Sequence, residues 1–93
     1  MRAAELMLRE LIRLYEAGEN PAEEANLAKL LCADASQAAA EMCVQTYGGF
    51  GFAEEYDVER KFREARLYQV APISTNLILS YVAEHVLKLP RSY

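Results

Sequence analysis

Apolar residues at the start of the chain recur at the spacing of an amphipathic helix. Between residues 3 and 17 they fall three and four positions apart, and charged residues fill positions between them. This period is typical of a helix that buries one face. Gly18 follows, and glycine readily adopts the left-handed conformation in which many helices end. We therefore predict a helix over residues 3–17. Its apolar positions are Ala4, Met7, Leu8, Leu11, Leu14 and Tyr15.

A second, longer helix is predicted from a start signal at Asn20 to about residue 46. Asn20 is a favoured N-cap, Pro21 suits the first helical position, and Glu23 can close a capping box. No glycine or proline interrupts the stretch that follows, and its many alanines favour the close approach of a neighbouring helix. The positions expected to be buried are Leu27, Leu30, Leu31, Ala35, Ala38, Met42 and Val44.

The middle of the chain is predicted to contain a loop and a short third helix. Three of the four residues at 48–51 are glycines, which destabilise a helix interior, so residues 47–56 are predicted to form a loop. Asp57 is then expected to cap a helix over residues 58–65. Its inward positions would be Val58, Phe62 and Ala65.

A proline marks the boundary before the last helix. Pro72 disfavours helical geometry at the residue before it, so residues 66–72 are predicted to form a connector. The fourth helix is predicted from residue 73 or 74 to residue 87. Because the apolar spacing is helical throughout, we predict a single all-α helical bundle over residues 1–93.

Composition and charge exclude several classes of protein. The hydrophobic fraction of 53% supports a packed core and argues against disorder. The formal net charge is −4, whereas nucleic-acid binding requires a clustered basic face. The apolar runs are too short to span a bilayer, and the N-terminal pattern is amphipathic rather than that of a signal peptide. We therefore expect a cytoplasmic protein that binds neither nucleic acid nor membrane.

The two cysteines and the single histidine match no metal or disulfide pattern. Cys32 and Cys43 lie eleven positions apart on one predicted helix, which separates them by about 16 Å. A disulfide requires Cα atoms within about 7 Å, so the two cannot pair within the helix. His85 has no partner at a catalytic or zinc spacing. We expect two small buried thiols, a structural histidine and no metal site.

The glycine cluster at residues 48–51 is the most unusual local feature. Glycine lets the backbone approach a phosphate closely, and backbone N–H groups in such a loop can bind an anion. The segment lacks the lysine of a Walker loop, and no strand precedes it as in a dinucleotide-binding motif. Local chemistry alone favours a tight turn over a ligand contact here. It also favours a capping or solvent-facing role for Gln45 over a ligand contact.

Three sequence blocks resemble the C-terminal signature of the flavin-dependent acyl-CoA dehydrogenases. The blocks are QTYGGFGF at 45–52, EYDVER at 55–60 and REAR at 63–66, and their order and spacing match the family signature. The likeness is sharpest over residues 37–86 and extends more loosely to the first helix. It implies that the chain corresponds to the last three helices of the family's four-helix C-terminal domain. The first helix of that domain, the β domain and the N-terminal helical domain have no counterpart in this sequence.

The resemblance also implies a contact with FAD. In the family, the glutamine and the glycine pair of this motif touch the diphosphate and adenosine parts of FAD, commonly across a subunit interface. That role falls on Gln45, Gly48 and Gly49 of this chain. With the resemblance counted, FAD contact is favoured over the tight-turn interpretation at these positions.

The sequence departs from the family in the connector before the last helix. Many members carry a Tyr-Glu-Gly-Thr motif there, and its glutamate removes the α-proton of the acyl thioester. Pro72 aligns with that glutamate and has no titratable group. The family's threonine and a later glutamine contact the flavin nucleotide, and Ser74 and Asn76 are their counterparts here. Some members place the base on the preceding helix of the domain, so a full-length relative of this chain could still be active.

Three functions fit this sequence. In the first, the chain is the C-terminal portion of an FAD-dependent oxidoreductase of fatty acid metabolism that dehydrogenates acyl-CoA thioesters, and the isolated chain is inactive and binds no FAD. In the second, it is a standalone non-catalytic helical module that oligomerises or binds a partner. In the third, it is a small-ligand or nucleotide-binding protein that keeps only the adenosine-side contacts. We expect a homo-oligomer and, in the first case, contacts with the remaining acyl-CoA dehydrogenase domains. Candidates to line an uncovered groove are Leu6, Met7, Leu11, Leu27 and Leu31.

Overall fold

Helices joined by short turns make up the fold in the computed structural model, which describes residues 1–91. No strand occurs within these residues, which confirms the predicted all-α fold. None of the described helices is long and apolar enough to cross a lipid bilayer. The elements are α1 (Arg2–Glu16), α2 (Ala22–Tyr47), two 3-10 turns (Gly48–Phe52 and Glu54–Tyr56), α3 (Val58–Val70) and α4 (Thr75–Tyr81), which continues as a π-helical turn (Val82–Val86).

Helix α2 lies at the centre of the fold and contacts α1, α3 and α4. Two of its alanines, Ala28 and Ala33, are only 3% exposed, as expected where helix backbones approach closely. The most buried large side chain is Ile78 of α4, at 1% exposure. The core therefore depends on small residues of α2 and on aliphatic side chains of the other three helices, Leu14, Val58 and Ile78.

The larger apolar residues of α2 are less buried than the sequence pattern predicts. The most buried residues of α2 are Ala28 and Ala33, where neighbouring helices approach most closely. The larger apolar side chains of α2 lie to either side of these contacts and are therefore less completely covered. Met42 is 71% exposed, which contradicts its predicted burial. Ala38 is also exposed, whereas the remaining predicted core positions of α2 are half-buried: Leu27, Leu30, Leu31, Ala35 and Val44.

The fold is flat and open. It measures 46 × 36 × 19 Å, and its radius of gyration is 16.2 Å, compared with about 12 Å for a compact domain of 93 residues. Its accessible surface is 6987 Å², whereas a compact monomer of 10.5 kDa exposes about 5,400 Å². The smallest extent, 19 Å, corresponds to about two helix diameters. A layer this thin leaves part of every helix in contact with solvent, and many apolar side chains are exposed.

The end of α1 and the start of α2 follow the signals in the sequence, with one shift. Gly18 takes a φ of +76°, and its N–H donates to the Tyr15 carbonyl at 3.1 Å where α1 ends. Before α2, the Asn20 Oδ1 accepts from the Ala22 N–H at 3.2 Å. Pro21 stands immediately before the first helical residue rather than at it. Both ends lie within two residues of the predicted positions.

Helix α3 is longer than predicted. It runs to Val70 instead of ending near residue 65, so the predicted connector is mostly helical. Residues 66–70 include no glycine or proline, and nothing in their chemistry stops a helix. The helix ends at Ala71, where Pro72 imposes an extended conformation on the residue before it.

The starts of α3 and α4 are stabilised differently. Asp57 has a φ of +57°, and its carboxylate accepts from the Arg60 guanidinium at 3.3 Å, so its side chain does not cap α3 as predicted. Ser74 does cap α4, because its Oγ accepts from the Leu77 N–H at 3.3 Å. The last helix is α-helical only as far as Tyr81 and then widens into the π-helical turn.

Candidate functional site

The predicted phosphate-contacting residues lie where α2 ends. Gln45 is in the last turn of α2, Gly48 and Gly49 follow it, and all three are exposed. The helix ends because Gly48 adopts φ +61° and ψ −137°, a conformation that residues with a Cβ rarely adopt. Its N–H still donates to carbonyls of the last turn of α2. The structure therefore places the Gln45 amide and the backbone of both glycines at one exposed end of the helix.

The segment predicted to be a loop is folded into the two 3-10 turns, and Gly51 is its buried residue. A Cβ on Gly51 would lie 3.0 Å from the carbonyl oxygen and 3.2 Å from the Cα of Val44, so the first turn packs directly against α2. A Cβ on Gly49 would meet no atom within 4 Å. The missing side chain of Gly51 thus allows the turn to pack against α2, whereas the space beside the backbone of Gly49 is open. The sequence analysis did not assign this packing role to Gly51, although the cluster of glycines was a signal for a close backbone approach.

An aromatic cluster joins the two turns to the end of α2. The ring of Tyr56 lies 5.7 Å from that of Tyr47 and 5.6 Å from that of Phe50, measured between centroids. These separations are favourable for aromatic pairs. The cluster links all three elements and so stabilises the position of the intervening glycines. Sequence analysis did not identify it, because the contacts depend on how the turns fold.

A small apolar cavity of about 280 Å³ opens beside the first turn. Two residues that line it, Glu59 and Arg63, are joined by hydrogen bonds of 2.8 and 3.3 Å between guanidinium and carboxylate. The hydrogen bond from Arg63 lowers the pKa of the Glu59 carboxyl, so this group is ionised and paired at neutral pH. With these charges paired, the cavity presents mainly apolar walls. The other lining residues are Val44, Gly51, Phe52 and Phe62.

The other predicted cofactor contacts lie at the start of α4. Ser74 is half-buried, and its hydroxyl oxygen is the acceptor that caps α4, which leaves the hydroxyl hydrogen to donate elsewhere. Asn76 is exposed in the first turn of α4. Pro72 is exposed in the turn that precedes α4. This end of the fold therefore offers hydrogen-bonding groups but no acid or base at position 72.

The two groups of predicted contacts lie beside different parts of α2. The Nζ of Lys29 donates to the Ile73 carbonyl at 2.8 Å, which places the start of α4 beside the first half of α2. Gln45 lies sixteen positions further along the same helix, or about 24 Å away along its axis. The structure therefore does not bring Ser74 and Asn76 together with Gln45.

In the described part of the chain, the cysteines and the histidine make no recorded contact with either group of predicted cofactor contacts. Cys32 and Cys43 are both exposed free thiols, so the prediction that they are buried is wrong. The exposed ring of His85 lies 4.8 Å from the ring of Tyr81 on the preceding helical turn. Within residues 1–91, no three metal-ligating side chains form a cluster.

Proteins of one family resemble this chain over nearly its whole length. A family model described as the C-terminal domain of acyl-CoA dehydrogenase matches residues 1–87. An acyl-CoA dehydrogenase of Mycobacterium tuberculosis is 44% identical over 92 residues, which are 97% of this chain and 24% of that protein. The mitochondrial short/branched chain specific acyl-CoA dehydrogenase of Rattus norvegicus is 30% identical over 86 residues, which are 92% of this chain and 20% of that protein. The chain spans about a quarter of the length of the curated relatives it matches.

A solved structure shares the fold. A chain in the structure of the electron transferring flavoprotein of Acidaminococcus fermentans matches 94% of this chain and 23% of its own length. The TM-score is 0.86 and the sequence identity is 24%. The helices that carry both contact groups lie within the region that the family model matches. This chain therefore belongs to the acyl-CoA dehydrogenase family, as a C-terminal domain of that family.

Proposed function

We propose that this chain forms the nucleotide-contacting C-terminal portion of an FAD-dependent dehydrogenase that acts on acyl-CoA thioesters. The observation that carries the proposal is the exposed end of α2, where the Gln45 amide lies near the backbone of Gly48 and Gly49. The space beside Gly49 is open, because a Cβ there would meet no atom within 4 Å. An amide donor and an accessible glycine backbone fit the diphosphate of a dinucleotide.

In the proposed enzyme, the residues of this chain bind the nucleotide part of FAD and orient the cofactor. FAD, when bound, supplies the acceptor for the hydride that leaves the β-carbon of the acyl group. Gln45 donates to the diphosphate, and Ser74 and Asn76 contact a nucleotide from the start of α4, beside the first half of α2. Pro72 cannot remove the α-proton, since it has no titratable group, so the base comes from another part of the complete enzyme.

The separation of the two contact groups favours an assembly in which each copy reaches two nucleotides. About 24 Å of α2 separates Gln45 from Lys29, which holds the residue before Ser74, as expected if one group serves a cofactor held by a neighbouring copy. The accessible surface exceeds that of a compact monomer by about 1,600 Å², and each partner in a standard interface buries about 800 Å². We propose that a second copy, together with the remaining dehydrogenase domains, covers this surface.

The proposed compartment is the cytoplasm, and residues 1–93 are proposed to form one partial domain. Cys32 and Cys43 are exposed and unpaired, which is typical of a reducing compartment. α2 contacts each of the other helices, so the described part of the chain has one core.

A chimera tests the proposed FAD contact. In the Mycobacterium tuberculosis relative, the segment that is 44% identical to this chain would be exchanged for it. The chimera should bind FAD, and Gln45→Glu in the chimera should weaken FAD binding about tenfold or more, because a carboxylate replaces a donor and repels the diphosphate. Fluorescence titration of the flavin-free chimera measures this effect.

The control for the chimera is Glu41→Gln, the reverse exchange at an exposed position one turn earlier on α2. It should leave FAD affinity unchanged. Equal affinity of the chimera and its Gln45→Glu variant would show that this end of α2 does not contact the cofactor. A chimera that folds but binds no FAD would overturn the proposal as a whole.

The isolated chain should purify colourless and should show no acyl-CoA-dependent dye reduction. Its proposed contacts reach the nucleotide side of FAD, and a flavin ring needs walls that the open layer does not supply. Pro72→Glu should not restore turnover, because a base alone cannot act without a bound flavin and acyl group. The measurements are the visible absorbance of the purified protein and a dye-reduction assay, with the chimera as the positive control. Yellow protein, or dye reduction by the isolated chain, would contradict this expectation.

A second candidate function is a standalone oligomerisation module. The observation that favours it is an apolar flank of α1, formed by Met1, Leu8, Ile12 and Tyr15, which are 88%, 42%, 47% and 74% exposed. The helical spacing places these residues on the same side of α1. Association of the isolated chain that is equally strong with and without FAD or ADP, together with a chimera that folds but binds no FAD, would favour this function over the first.

A further inference from the structure

Lys29 joins two segments that meet at the end of α3. It is half-buried on α2, and its Nζ donates to the carbonyl of Tyr68, in the last turn of α3. The same Nζ donates at 2.8 Å to the carbonyl of Ile73, which lies in the connector that the structure shows between α3 and α4, residues 71–74. An ammonium group has three donors and can therefore serve both acceptors at once. The side chain thus connects α2, α3 and the connector through one charged group.

The Tyr68 carbonyl needs this external donor for a reason that lies in the sequence. In a helix, a carbonyl accepts from the N–H four residues later, and the residue four positions after Tyr68 is Pro72. Proline has no N–H, so it cannot supply that hydrogen bond. The preceding carbonyl, of Leu67, is satisfied by the Ala71 N–H at 2.9 Å. Lys29 therefore replaces the hydrogen bond that Pro72 removes, and its positive charge also suits the C-terminal end of α3.

A second link between α2 and α3 does not reach the connector. The Gln69 amide donates to Asp34 at 3.1 Å, and Arg66 donates to Gln69. These contacts hold the end of α3 on α2 but leave the following residues unattached. Among the described residues 1–91, Lys29 is the only α2 side chain that hydrogen-bonds the connector. Its acceptor there is the carbonyl of Ile73, the residue before Ser74.

We infer that Lys29 is a positioning residue: it fixes the connector against α2 and so sets where Ser74 and Asn76 stand. The importance of this placement for a ligand depends on the function proposed above, whereas the placement itself does not. Lys29 touches no proposed ligand group, and it acts through the backbone that carries Ser74. Its removal should loosen this end of the fold before it affects the Gln45 end.

The test is amide hydrogen exchange of the full chain with Lys29→Met, which keeps the length of the side chain and removes its donors. Local probes are the amides of Ala71, Leu77 and Ile78, which are hydrogen-bonded around the connector. The amide of Gly48, which donates to the Gln45 and Val44 carbonyls, reports on the remote end of α2. We expect exchange at the local probes to rise about tenfold or more while exchange at Gly48 changes much less, since the lost bonds involve a charged donor.

Two further variants separate positioning from general stability. Lys29→Arg retains charge and several donors and should keep most of the local protection. Lys61→Met removes an exposed lysine of α3 whose ammonium lies 3.7 Å from Glu64, and it should leave the connector probes unchanged. The inference would be overturned if Lys29→Met raised exchange equally at the local and remote probes. It would also be overturned if the local probes of Lys29→Met were as well protected as those of the unmodified chain.

A measurement on the unmodified chain covers the case in which Lys29→Met does not fold. Nitrogen-15 relaxation and proton exchange of the lysine ammonium groups compare Lys29 with Lys61. An ammonium held by two carbonyls should rotate and exchange more slowly than an exposed one. Equal mobility of the two groups would refute the positioning role. If the Lys29 tests give the expected results but the chimera binds no FAD, the result counts against the proposed function alone.

Discussion

Ile78→Ala should lower the free energy of unfolding of this chain by about 2–5 kcal/mol, the range found when a buried aliphatic side chain is truncated. Ile78 is 1% exposed and is the most buried large side chain of the described residues. It lies in α4, which contacts α2, so its loss leaves a cavity between the two helices. A small domain has about 5–15 kcal/mol of stability in total, so this change removes a large share. Urea denaturation followed by circular dichroism measures the difference.

The matched control is Leu79→Ala, at the next position of the same helix. Leu79 is 54% exposed, and its truncation should cost no more than about 1 kcal/mol when measured at low protein concentration. If both variants lose the same stability, then Ile78 is not a core residue and α4 does not dock on α2 as described. Measurement at several protein concentrations separates folding from association.

Ile12→Glu should weaken self-association by at least about a hundredfold, because each copy forgoes roughly 1.5–3 kcal/mol of burial and a symmetric contact contains the residue twice. The unmodified chain is expected to sediment as a dimer or tetramer at micromolar concentration. The surface invoked is the apolar flank of α1, which is exposed although it is continuous with the buried face of the helix. Sedimentation equilibrium over a range of concentrations measures the dissociation constant.

Leu6→Glu is the control for the association experiment. Leu6 is 58% exposed on the same helix, but it lies two positions from Leu8 and therefore on roughly the opposite side. It should leave the oligomer intact, although the sequence pattern placed Leu6 in the uncovered groove. A chain that stays monomeric at high concentration would show that the open layer is stable unaided. A larger loss for Leu6→Glu than for Ile12→Glu would place the interface on the other side of α1.

The order and type of the helices could be predicted because they depend on local patterns. The end of α1 at Gly18 is visible in the sequence, since glycine adopts the left-handed conformation there. Pro72 sets the last position that α3 can reach, because it disfavours helical geometry at Ala71. The end of α3 at Val70 was missed because residues 66–70 give no signal to stop, and only the proline ends the helix. The π-helical turn after Tyr81 likewise has no marker in the local sequence.

Properties that depend on packing were harder to predict. The family resemblance assigned Gln45, Gly48, Gly49, Ser74 and Asn76 to cofactor contact, but it could not place them relative to one another. Their separation depends on how α3 returns along α2 before the connector begins. Likewise, the exposure of Met42 depends on which neighbours cover α2, and the periodic pattern of the helix contains no information about a covering layer.

In the proposed assembly, Gln45 stands at the end of α2 whereas Ser74 and Asn76 stand beside its first half, so each copy would supply two half-sites and a complete site would need two copies. The concentration of cofactor bound between two copies of the complete enzyme would therefore rise as the square of the protein concentration while the protein is mostly monomeric, and linearly once the oligomer has formed. Two copies would hold two cofactors, so the ratio at saturation would still be one per chain. Dilution of the complete enzyme should therefore release the cofactor while the helices of each chain remain folded.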